Sequence, residues 1–87
     1  MSPAEITVLE AGAVATELGL AFATLPFDLE QFHLGMNVEL EHGVRDPTTN
    51  VTGDDRLVTG KIALAHLREI PDYYTRLAAM EAEAERP

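Results

Sequence analysis

Between Asp28 and Gly43 the large apolar residues recur as Leu29, Phe32, Met36 and Leu40. Steps of three and four put them on one face of an α-helix, whereas a β-strand would scatter them over both of its faces. No convincing run of period two competes with this pattern anywhere in the chain. The expected class is therefore all-α: a compact bundle of three to four short helices with one long loop between helices 2 and 3. Asp28 reads as the cap of this second helix and Gln31 completes a capping box, with Gly43 as the stop. Glu30, Asn37 and Glu41 are expected on the opposite face, with His33 at the margin.

The remaining helices follow from punctuation. Ser2-Pro3-Ala4-Glu5 combines a cap, a proline suited to the first helical position and a capping-box glutamate, so helix 1 is expected over 3–18, with Gly19 as its stop. Its AGAVA centre suits close packing. Pro26 breaks the LAFATLPF segment that follows. VRDPTTNVTGDD has the composition of a loop, and Thr52 or Asp54 is expected to cap helix 3. That helix, Asp55 to Ile70, carries Leu57, Ile62, Ala63, Leu64, Leu67 and Ile70 on a broad apolar arc, with Lys61 and Arg68 on the wet side. Pro71 forces a break, and Asp72 lies near the N-terminus of helix 4, where negative charge is favoured. Tyr73, Leu77, Met80 and Ala84 form the stripe of helix 4, with Tyr73 expected in the core stripe in preference to a Tyr73–Tyr74 interface pair. The charged end, EAEAERP, is expected to fray.

Eighty-seven residues with 46% hydrophobic and 24% charged side chains describe one ordinary globular domain over 1–87. The absence of cysteine excludes a disulfide framework and cysteine-ligated zinc, and suits a reducing or an indifferent compartment. MSPAEITVLE lacks the basic and apolar regions of a signal peptide, and the uncharged stretch from Leu18 to Phe27 is too short to span a bilayer. A formal charge of −9 disfavours nucleic acid and anionic membrane surfaces alike. Plain solubility, a protein partner or self-association remains, in the cytoplasm or in a virion.

Glu39 sits where a leucine would stabilise the core, on the apolar side of helix 2. His66 lies inside the arc of helix 3; His42 and Glu69 border the respective arcs. Each helix thus offers a carboxylate and an imidazole three residues apart, on one face. If the two helices pack antiparallel, Glu39, His42, His66 and Glu69 converge near one end of the bundle. Gly35 on one helix, with Gly60 and Ala63 on the other, would let the backbones approach. Two Glu/His pairs suggest a carboxylate-bridged site for zinc, iron or manganese, although the second pair is reversed and further ligands are lacking. The first reading is structural: a buried hydrogen-bonded Glu39–His66 pair, with Tyr73 or Tyr74 as neighbour, that sets helix register. Catalysis ranks third, for no nucleophile stands at a telling distance from a base.

Asn50-Val51-Thr52 matches a glycosylation sequon by chance, and Asp46, Asn50, Asp54 and Asp55 lack the spacing of a calcium loop, so turn and cap chemistry is expected there. From Phe27 to Glu81 the chain resembles an uncharacterised bacterial and phage family of small helical domains. The matching positions are Gly35, Glu39, Glu41, His42, Ile62, Ala63, His66, Leu67, Glu69, Pro71, Tyr73, Tyr74 and Leu77. Helix 1 lies outside that segment. The resemblance implies that both Glu/His pairs belong to the family's defining pattern. It also implies a stand-alone protein or an appendage of phage head-morphogenesis proteins, with no known activity. The expected function is a small acidic non-enzymatic interaction module, docking on a larger assembly such as a phage particle through an exposed helix 1 face of Val8, Ala11, Ala15 and Leu18. The alternative is a metal-binding helical protein.

Overall fold

The computed structural model describes residues 5–45, 47–53 and 55–86, the side chains of residues 42–44 excepted. Among these residues four α-helices follow one another: α1 (Val8–Glu17), α2 (Leu29–Arg45), α3 (Arg56–Glu69) and α4 (Tyr73–Ala84), with a short 3₁₀ turn at Phe22–Thr24. Among the described residues there is no strand, and the fold is all-α. Among the described residues no helix is long and apolar enough to cross a membrane.

Helix α2 touches each of the other three and forms the axis of the bundle. Its stripe behaves as the spacing requires: Phe32, Met36 and Leu40 are buried and Leu29 half-buried. Asp28 accepts from the Gln31 N–H at 2.9 Å and so caps the helix. The Gln31 amide, however, turns away to donate to the Thr75 hydroxyl on α4. The helix also runs past Gly43 to Arg45, where Arg45 pairs with Glu41 one turn back.

Helix α1 begins at Val8, not at position 3. A capping box forms there: the Thr7 hydroxyl accepts from Glu10 N–H at 3.1 Å and the Glu10 carboxylate from Thr7 N–H at 2.9 Å. Ser2, Pro3 and Ala4 lie outside the described residues. Ile6, just before the cap, is buried in extended chain, with Ala11 beneath it in the core, the positions of a hydrophobic staple. Gly19 ends the helix in the left-handed conformation at φ 73°, which glycine adopts without strain.

The loop before α3 is held by Asn50, whose side-chain oxygen accepts from the N–H groups of Thr52 and Gly53. Its capping residue is Asp55, accepting from Val58 N–H at 3.0 Å. Thr52, one of the expected caps, is buried and instead offers its carbonyl to Asp55, while Asp54 and Asp46 lie outside the described residues. Pro71 and Asp72, just past α3, border one hollow with Asp28 and Gln31, so α3 returns to the end where α2 starts. Of the expected arc of α3, Ala63, Leu64 and Leu67 are buried, Leu57 and Ile62 half-buried, and Ile70 about one-third exposed.

On α4 the buried tyrosine is Tyr74, at 1% exposure; Tyr73 is only half-buried and Met80 is exposed. The two glycines explain the exchange. A Cβ at Gly35 would stand 2.7 Å from Cδ2 of Tyr74, so the missing side chain on α2 is the slot that takes the α4 ring. Gly60 does the same for α1, since a Cβ there would meet Val14 Cγ1 at 2.6 Å. Both glycines thus make room for side chains of α4 and α1 rather than for the backbones of α2 and α3. The α1 face expected to be free is inside as well. Ala11 and Ala15 are buried and Leu18 half-buried, leaving only Val8 of that set exposed.

Candidate functional site

Position 39 answers to Tyr74. The α4 phenol enters between α2 and α3 through the Gly35 slot and donates its hydroxyl to Glu39 Oε2 at 2.8 Å. A carboxylate at 14% exposure, deep in the bundle wall, therefore has a neutral donor where hydrocarbon would leave the phenol unsatisfied. Burial first, then the bond to Glu39 and the charge of that carboxylate, push the Tyr74 phenol far above its usual range. Tyr74 is consequently a fixed hydrogen-bond donor and not a proton acceptor near neutrality.

His66 of α3 approaches from the other side, with Nε2 3.6 Å from the same Glu39 oxygen. That separation is an ion-pair contact when the ring is protonated and too long for a hydrogen bond. The imidazole, at 37% exposure, lies flat on the Tyr73 ring with centroids 4.4 Å apart and planes 3° from parallel. Tyr73 in turn meets Tyr74 edge-on at 5.0 Å, and His66 meets Tyr74 edge-on at 6.1 Å. Four side chains from three helices thus fix one another around a single carboxylate.

Glu39 and His66 do come together, but not as the buried hydrogen-bonded pair expected from the sequence. They stand 3.6 Å apart, the imidazole is 37% exposed, and the hydrogen bond to Glu39 comes from Tyr74. Glu69 is exposed on α3, and the His42 side chain lies outside the described residues. Among the described residues no three of His, Cys, Asp and Glu come close enough together to hold a metal ion.

A second polar lock lies outside this set. Asn37 grips the backbone of Ile6 like a neighbouring strand: its Oδ1 accepts from Ile6 N–H at 2.8 Å and its Nδ2 donates to Ile6 C=O at 3.0 Å. His33 Nε2–H donates to that same carbonyl at 2.6 Å. Asn37 therefore faces the segment before α1, not open solvent. The signal in the sequence is slight, a His and an Asn four apart beside the apolar stripe, and their partner is backbone, which carries no letter.

Beside the cluster, α2, α4 and His66 of α3 line a hollow of about 520 Å³. Val38, Tyr73 and Leu77 supply its apolar lining; Glu39, Glu41, Glu81 and Glu85 supply carboxylates, and Arg45, already paired with Glu41, is its one guanidinium.

No curated protein and no solved structure matches the chain. A family model does match, over residues 11–83, taking in most of α1 as well as the stretch from Phe27 to Glu81: the chain belongs to the family described as "Protein of unknown function (DUF5661)".

Proposed function

We propose that this protein is a small acidic non-enzymatic docking module that engages a protein partner through the hollow between α2 and α4. The observation that carries the reading is the unfinished apolar stripe of α4. Leu77 and Tyr73 line the hollow and are only half-covered by the bundle, and Met80, one turn on along α4, is 60% exposed. The Glu39–Tyr74–His66 cluster supports it by making the lining rigid, since each ring is held by two others. Docking on a larger assembly, a phage particle included, is part of the proposal and rests on the family resemblance; it sets the location as cytoplasm or virion.

A photo-cross-linking residue at Leu77, compared with one at exposed Lys61, tests the proposal in extracts or particles of the source. Adducts from position 77 that are missing from position 61 support it. Adducts from Lys61 alone would overturn it. The metal-binding alternative draws on the 3.6 Å approach of His66 to Glu39. Stoichiometric metal after mild purification, with a higher melting temperature on adding zinc, iron or manganese, would favour it instead.

A further inference from the structure

We infer that the partner segment received by this hollow is basic and amphipathic, a stretch of another protein whose lysine or arginine side chains meet the carboxylates while an apolar side chain lies on Val38, Tyr73 and Leu77. The inference rests on the docking reading and names the chemistry of the partner. Carboxylates stand on both walls, Glu39 and Glu41 on α2 facing Glu81 and, just past α4, Glu85. Glu81 and Glu85 are four residues apart, a like-charge spacing that works against the helix rather than for it. Among the described residues neither has an ion-pair partner, whereas Arg45 is committed to Glu41 and Arg76 to Asp72. The hollow therefore carries uncompensated negative charge on its α4 side, at Glu81 and Glu85, next to the half-buried apolar surface of Val38, Tyr73 and Leu77. A nucleic acid has the wrong sign. A second copy of this chain would bring its own −9 to the contact. A neutral or acidic segment gains nothing from the walls. A basic amphipathic segment is matched by the free carboxylates of the α4 wall and by the apolar lining.

The test is fluorescence anisotropy of the full chain with a labelled amphipathic Leu/Lys peptide, its Leu/Glu counterpart, and spermine as competitor. The Leu/Lys peptide should bind, and more weakly as salt rises. The double variant Glu81→Lys/Glu85→Lys should weaken it by about tenfold or more, and Leu77→Ser by several-fold. The variant Glu5→Lys/Glu17→Lys makes the same change in net charge at exposed positions outside the hollow, and should stay within about twofold. Circular dichroism melting confirms that each variant is folded. Equal losses in the two double variants would overturn the inference, because the attraction would then belong to the whole surface. Binding of the Leu/Glu peptide, or displacement by spermine at the peptide's own concentration, would overturn it too. Adducts from Leu77 without any binding of the Leu/Lys peptide would leave the docking reading standing and remove the basic partner.

Discussion

A leucine at position 39 would leave the Tyr74 hydroxyl facing hydrocarbon, and that single bond accounts for the most anomalous letter in α2. Tyr74→Phe keeps the ring in the Gly35 slot and removes only the donor to a charged acceptor. It should lower stability by about 1.5–3 kcal/mol in urea denaturation. The pH dependence has a definite sign. The folded-state phenol is raised above its unfolded value. Its contribution is thus fully present below pH ~10 and is lost as pH climbs beyond. Wild type should lose stability through that alkaline window, and Tyr74→Phe should lack that part of the loss. The glycines offer a paired comparison. Gly35→Ala drives a Cβ into a buried ring and should cost about 1–3 kcal/mol. At Gly12, inside α1, a Cβ meets nothing within 4 Å, and Gly12→Ala should stabilise by about 0.5–1 kcal/mol.

Two boxes of similar appearance stand near the start of α1, Ser2-x-x-Glu5 and Thr7-x-x-Glu10, and the first lies largely outside the described residues. The helix begins after Thr7 because Ile6 spends its N–H and C=O on Asn37 and His33. A helix continued back through Ile6 would need those groups for itself. Asn37→Ala should therefore free the Ile6 amide. Its hydrogen exchange should quicken markedly while amides in the middle of α3 are unchanged, with a stability loss of about 1–3 kcal/mol. Helix α4 shows the opposite situation. Its first turns rest on α2, while residues 78–86 are exposed, so its outer turns should exchange fastest of the four helices.

Across the whole molecule a charge of −9 on so short a chain means that compactness is opposed by self-repulsion. Adding sodium chloride should raise the melting temperature by a few degrees as the Debye length shrinks. The same addition should weaken any basic partner. Opposite responses to one variable are a compact check on both statements.

Helix count, class and most boundaries were legible because they depend on short-range facts: spacing of apolar residues, caps, and the chain-breaking geometry of Pro26 and Pro71. The meeting of Glu39 with His66 was legible too, since each polar letter interrupted an apolar face. Which of two adjacent tyrosines went inside was another matter. Tyr73 and Tyr74 stand about 100° apart on a helix with one narrow contact, and only the empty volume above Gly35, on an element 35 and more residues distant in the chain, selects Tyr74. The same holds for Asn37, whose partner is a backbone that any residue could have supplied. Local periodicity and punctuation are properties of neighbouring letters, so the chain alone determined its helices. Vacant space and unpaired backbone groups exist only once the helices have assembled, so the tertiary structure decided which side chains fill them and where a hollow was left.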